Sequence, residues 1–128
     1  MKILHVDSSI LGPNSVSRTL TAAIVEQQKT LHPGIEVIYR DVAAEAPQHL
    51  SGAHLAAWQG SAPLDATLAA DVATGTALLE ELFAADIIVI GAPMYNFSVP
   101  SQLKAWIDRL LIAAKSFRYR HAGPEGLL

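Results

Sequence analysis

Ile87-Ile88-Val89-Ile90-Gly91-Ala92-Pro93-Met94-Tyr95-Asn96-Phe97-Ser98-Val99-Pro100 is the stretch on which the fold turns. Its first four residues form an unbroken apolar block, the pattern of a strand covered on both faces. A loop bounded by Pro93 and Pro100 follows, and Pro100 opens a helical pattern running to Ala114. Proline suits that first turn, where its missing N–H would have had no partner. Leu103, Ile107, Leu110 and Leu111 fall on one side of this helix.

The same alternation continues upstream. Apolar runs at Ile3 to Val6 and Ile35 to Tyr39 read as two more strands. Between them Ser17 to Leu31 has helical spacing, with Leu20, Ile24 and Leu31 on one stripe, and His32-Pro33-Gly34 stops it. Leu68 to Ala85 reads as another helix, with Leu78, Leu79, Leu82 and Phe83 as its apolar face. Gly75 inside it costs up to about 1 kcal/mol relative to alanine. Strands alternating with helices imply an α/β domain with a parallel sheet and right-handed crossovers. Residues 1–128 read as one domain without an internal boundary. Ala43 to Thr67 breaks the pattern: Pro47, Gly52, Gly60 and Pro63 interrupt it, and such long connections tend to be functional or mobile.

Composition narrows the function classes. Half the chain is hydrophobic (51%) and 16% is charged, which suits a globular domain. A net charge of −3 without a basic stripe argues against nucleic acid as a partner. No apolar run approaches the roughly 20 residues of a membrane span. The N-terminus turns polar too quickly for a signal peptide, so a cytoplasmic location is the expectation. With no cysteine there is no thiol nucleophile and no thiolate metal site. His49 and His54, with Asp65 nearby in sequence, show no ligand spacing and read as solvated loop histidines. His5 reads as a hydrogen-bonded core histidine, and no metal site is expected. Glu80, Glu81 and Lys104 read as solvated helix faces.

Ligands of open parallel sheets bind beyond the carboxyl ends of the strands. Two loops lie there. Asp7-Ser8-Ser9-Ile10-Leu11-Gly12-Pro13-Asn14-Ser15-Val16-Ser17 leads into a helix, so a phosphate would meet free N–H groups and the positive end of the dipole. Ser9, Ser15 and Ser17 add hydroxyl donors. The alternative is plain capping by Asn14 or Ser15, with the other serines as solvated turn residues. The loop lacks the lysine of a Walker A motif and the glycines of a dinucleotide fingerprint, which argues against an ATPase and a Rossmann-type site. No Gly-x-Ser-x-Gly elbow supports a hydrolase. In the second loop, Met94, Tyr95 and Phe97 offer apolar surface to a flat heteroaromatic ring, and backbone N–H groups and the Asn96 amide offer donors to its edge. Ordinary packing of aromatics beneath a loop accounts for that composition equally well.

Together these loops resemble the FMN-dependent NADH-azoreductase and quinone reductase family, a branch of the flavodoxin-like fold. The likeness rests on Val6-Asp7-Ser8-Ser9, Ser15-Val16-Ser17 and Ala92-Pro93-Met94-Tyr95-Asn96-Phe97. It continues through Pro100-Ser101-Gln102-Leu103-Lys104-Ala105-Trp106-Ile107-Asp108-Arg109, Phe117-Arg118-Tyr119 and Gly123-Pro124-Glu125-Gly126-Leu127-Leu128. The resemblance implies an FMN oxidoreductase that carries hydride from NADH or NADPH to quinones and azo compounds. By the same resemblance Ser9, Ser15, Val16 and Ser17 would hold the FMN phosphate, and Met94, Tyr95, Asn96 and Phe97 would line its ring. No side chain is expected to act as a catalytic acid, base or nucleophile, because the cofactor carries the chemistry. Members are homodimers in which the partner chain completes each site, with Phe117 and Tyr119 as candidate walls near the entrance.

A flavodoxin-like three-layer sandwich has five parallel strands in the order 2-1-3-4-5. Only the first three of the five are found here, so residues 1–128 are expected to form the N-terminal portion of such a domain. Its third strand would then keep an unpaired edge open to association. Weak FMN affinity and little turnover are expected of such a form. Two alternatives remain: a flavodoxin-type electron carrier, and a flavin-free truncated module that serves interaction only.

Overall fold

A computed structural model describes residues 1–61 and 63–128. The central strand β1 (Lys2–Asp7) is followed by a single 3-10 turn (Gly12–Asn14) and helix α1 (Val16–Leu31). Strand β2 (Glu36–Asp41), helices α2 (Gly52–Trp58) and α3 (Ala66–Ala84) and strand β3 (Ile87–Gly91) come next. Helix α4 (Ser101–Leu110) and a hairpin of β4 (Phe117–Arg120) and β5 (Gly123–Gly126) complete the order. The parallel sheet runs β2-β1-β3, with Ile3 opposite Val37 on one side and Ile87 on the other. This is the expected start of a flavodoxin-like sheet. The antiparallel β4–β5 hairpin was not expected and stands apart from it. No described helix is long and apolar enough to cross a membrane.

Alternation along β1 divides the core. Ile3 packs with Val25 of α1 and Val89 of β3 on one face. Leu4 and Val6 face the other way, into the larger cluster with Leu78, Leu79 and Leu82 of α3 and Leu103, Trp106 and Leu110 of α4. Several expectations need correction. Leu20, Ile24 and Leu31 form the outer surface of α1, 48–58% exposed, while Thr21 and Val25 face the sheet. Thr21 tolerates burial because its hydroxyl donates to Asp7 Oδ1 at 2.8 Å. Phe83 and Leu111 are likewise exposed rather than core.

The segment read as irregular contains α2, and His54 on it is a further correction. It is only 2% exposed, not solvated, and its Nε2 lies 2.6 Å from Asp71 Oδ2 on α3. The Ser51 N–H donates to His54 Nδ1 at 3.1 Å, which leaves Nε2 as the donor toward Asp71. Arg109 of α4, wholly buried, donates to the same Asp71 Oδ2, to the Asp71 carbonyl at 3.0 Å and toward the Gln48 carbonyl at 3.4 Å. His49 is exposed and Asp65 caps α3 through Leu68 N. Glu81 is half-buried and pairs with Arg40, so it is not a solvated face; Glu80 and Lys104 are exposed. His5 is buried against Tyr39, but its Nε2 approaches Asp7 Oδ1 at 3.4 Å without hydrogen-bond alignment.

This cluster explains Gly75. A Cβ there would sit 2.6 Å from Arg109 Nη2. The guanidinium is buried and held by three acceptors, so it cannot swing aside as a surface arginine would. Gly75→Ala should therefore destabilise the fold by about 1–3 kcal/mol in urea unfolding. Helix propensity alone gives the opposite sign, a gain of up to about 1 kcal/mol.

Candidate functional site

The site begins where β1 and β3 end. The chain goes from β1 to β2 on one side of β1 and then crosses to β3 on the other, so the direction of winding reverses between β1 and β3. Loops leaving two such strands diverge and open a crevice at their carboxyl ends. The Ser8 hydroxyl donates to the Gly91 carbonyl at 2.6 Å and fastens the two exits together. Gly91 has no room for a side chain: a Cβ would lie 2.8 Å from Asp7 Oδ1 and 3.1 Å from Thr21 Cγ2.

Tyr95 joins the two loops. Its phenol oxygen accepts from Ile10 N at 3.1 Å and lies 3.3 Å from Ser9 Oγ. Ser9 is buried and also accepts from Leu11 N at 3.2 Å, so its hydroxyl serves the loop-to-loop contact. Ser15, not Asn14, is the N-cap of α1, accepting from Arg18 N at 3.2 Å. Ser17 Oγ stands 3.1 Å from Ser15 Oγ. Capping and a hydroxyl cluster are thus both present at the same residue. Val16 is 72% exposed, so what it offers a ligand is its N–H. Among the described residues neither Val16 N nor Ser17 N meets a protein acceptor, as expected of a first helical turn.

Arg18 was not singled out in the sequence, yet it organises this loop. Its guanidinium grips Asp41 through two bonds of 2.7 and 2.9 Å and donates to the Ser9 carbonyl at 2.7 and 3.3 Å. It also donates to Tyr39 Oη at 3.0 Å, and Tyr39 in turn donates to Asp7 Oδ2 at 3.1 Å. The Arg18 bond holds the Asp41 carboxyl below its ordinary value, outweighing the upward push of burial. Burial first, and then the Asp7 charge, raise the Tyr39 phenol. The signal in the sequence was the pairing of a cation three residues after a cap with an acid at the end of the neighbouring strand.

The second loop is a tight turn. Tyr95 and Ser98 exchange backbone hydrogen bonds of 2.9 and 3.0 Å, with Asn96 at φ 50° and Phe97 at φ 63° between them. Positive φ at two successive residues with side chains is a strained choice. Phe97 points into solvent, 97% exposed, and Met94 is 73% exposed. Beside the turn lies an open cleft of about 840 Å³ lined by Ile10, Met94, Tyr95, Asn96, Gln102 and Lys104 among others. The structure therefore unites Ser9 with Tyr95, and Ser15 with Ser17, and sets Met94, Tyr95 and Asn96 along one cleft. It brings Phe97 to neither group. Phe117 and Tyr119, edge to face at 5.2 Å, lie outside that cleft's lining.

Residues 1–128 match the flavodoxin-like fold family. The chain belongs to that family. It is 61% identical over 127 residues to the FMN-dependent NADH:quinone oxidoreductase of Rhizobium meliloti (strain 1021), covering 99% of this chain and 62% of that protein. It is 58% identical to FMN-dependent NADH:quinone oxidoreductase 2 of Bradyrhizobium diazoefficiens, with the same coverage of each. Its structure superposes on the crystal structure of azoreductase from Bacillus anthracis str. Sterne with a TM-score of 0.84 and 29% identity, over 100% of this chain and 64% of that one. The chain thus spans a little under two thirds of the length of these relatives.

The Arg18–Asp41 grip has a predictable pH signature. A carboxyl held below its ordinary 3.8 in the fold stabilises the protein fully above that value and loses its contribution as pH falls through the lower folded value. Asp41→Asn should cost about 1–2 kcal/mol at neutral pH. In urea unfolding series the gap between the variant and the natural chain should close as pH drops below 3.8.

Proposed function

We propose that this chain forms the FMN site of an oxidoreductase that passes reducing equivalents from NADH or NADPH to quinones and azo compounds. The observation that carries the reading is the crevice at the β1/β3 exit, where Tyr95 ties the serine loop leading into α1 to an aromatic turn. The names of the relatives support the same chemistry.

The residues present fit the group. Ser15 Oγ, Ser17 Oγ and the open N–H groups at the start of α1 suit a phosphate, with the Arg18 guanidinium close behind the loop. Ser9 supports this arrangement through Leu11 N and Tyr95. Met94, Tyr95 and Asn96 border a cleft wide enough for a ring, and Phe97 stands free beside it. FMN, when bound, would supply two-electron redox chemistry between the nicotinamide and the acceptor. The protein's part is position and charge: backbone donors of the Tyr95–Ser98 turn would steady negative charge at the ring edge, and the aromatic side chains would exclude water. We include a homodimer in the reading, supported by the apolar side chains left exposed at Phe97 and along α1. A cytoplasmic location follows from the need for NADH or NADPH.

Titration with FMN, followed by quenching of flavin fluorescence and then anaerobic bleaching with NADH, tests the reading. Saturable binding with bleaching supports it. Binding without bleaching would leave an electron carrier, and no binding would remove the reductase reading from this chain. Substitution at Ser15 separates phosphate binding from capping. Asp and Asn both cap helices as well as Ser. Ser15→Asn should retain FMN within a few-fold, whereas Ser15→Asp should weaken it by roughly tenfold or more through charge repulsion. Equal FMN affinity in the two variants would reduce Ser15 to a cap.

A further inference from the structure

A second cavity lies outside this site, between α2 and the connection from α4 to β4. It has a volume of about 320 Å³, with Trp58, Ile112 and Phe117 as buried or half-buried walls and Ala113 and Lys115 at its exposed edge. None of these residues takes part in the β1/β3 crevice. We propose that this cavity binds a small aromatic monoanion, a two-ring carboxylate or sulfonate, with its rings between Trp58 and Phe117 and its charge at Lys115.

Three features carry the assignment. The walls are apolar and aromatic, and the volume falls at the lower end of the range for small-molecule sites. Lys115 has no acidic partner among the described residues, although its neighbours along the chain do: Arg118 and Arg120 both pair with Glu125. A lone ammonium at the rim of an aromatic cavity favours an anion over a neutral or cationic guest. Both walls are also fixed before any ligand arrives. On one side α2 is pinned by the buried His54–Asp71–Arg109 cluster. On the other, the buried Ser116 hydroxyl donates to the Leu110 carbonyl and accepts from Ile112 N at 3.1 Å. That connection includes Ala114 at φ 66°, a left-handed conformation rarely kept by a residue with a side chain. A cavity held open in this way loses little freedom on binding.

Calorimetric titration of the full chain with 2-naphthoate, with and without saturating FMN, tests the proposal. One site is expected, with affinity unchanged by FMN. Lys115→Gln should weaken it about fivefold to tenfold while Lys115→Arg retains it. The neutral 2-naphthamide should lose a similar factor against the natural chain. Ala113→Trp, which fills the cavity from an exposed position, should abolish binding without lowering the unfolding midpoint. Displacement by FMN, equal affinity in Lys115→Gln, persistent binding in a folded Ala113→Trp variant, or no saturable heat would each overturn it.

Discussion

Strand β1 is hydrogen-bonded along both edges and buried on both faces, and the two flanking strands and the helices α1, α3 and α4 are placed by that double constraint. Its even-numbered side chains, Leu4 and Val6, fix where α3 and α4 pack. Its odd-numbered Ile3 fixes the underside of α1. Asp7 then ends the strand with a buried carboxylate that Thr21 and Tyr39 satisfy, so the chain leaves the sheet in a defined direction. The crevice exists because β2 and β3 approach this one strand from opposite sides. Serine hydroxyls and the Tyr95 phenol only refine a geometry that the strand order has already imposed.

Buried charge has a different part in the structure. Asp71, Arg109 and His54 come from three helices and meet where an apolar cluster would have been the cheaper solution. Burial pushes the Asp71 carboxyl upward, but His54 and Arg109 together outweigh it and leave it below its ordinary value. The consequence is directional: apolar side chains tolerate sliding of one helix over another, whereas these hydrogen bonds accept one alignment of α2, α3 and α4. Gly75 is the steric condition for that alignment, and its weakness as a helix former is secondary.

How much of this could be read in the sequence depended on range. Ile3 to Val6 and Ile87 to Ile90 declared themselves as short, mostly apolar runs, but the expected cover on both faces holds for β1 alone: on β3, Ile88 and Ile90 are each 44% exposed. The Met94 to Phe97 turn stood out through its composition between two prolines. Helix α1 misled because periodicity reveals a stripe without saying which way it faces: Leu20, Ile24 and Leu31 are on the outside, and Thr21, a polar residue, is inside. His54 looked like a loop histidine because the acid it meets is 17 residues away and the arginine behind that acid a further 38. Arg18 was missed for a related reason, since Asp41 becomes its neighbour only after β1 and β2 are paired. The cavity beside Trp58 depends on a helix, α2, that has too few turns to show a period.

The parallel pairing of β1 with β3 also has a consequence in time. The two strands lie 84 residues apart in the chain. At ribosomal speeds of about 5–20 residues per second, β1 emerges roughly 4–17 s before the strand that will cover its second edge. For most of that interval Ile3, Leu4 and Val6 have only β2 and α1 for shelter, and α3 arrives to cover Leu4 and Val6 just before β3 does. A nascent chain built this way has a window in which its central strand is available to other chains, and the length of that window is set by the stretch between β1 and β3. Slow β-pairing of this kind makes the yield of folded protein depend on crowding and on chaperones as much as on final stability.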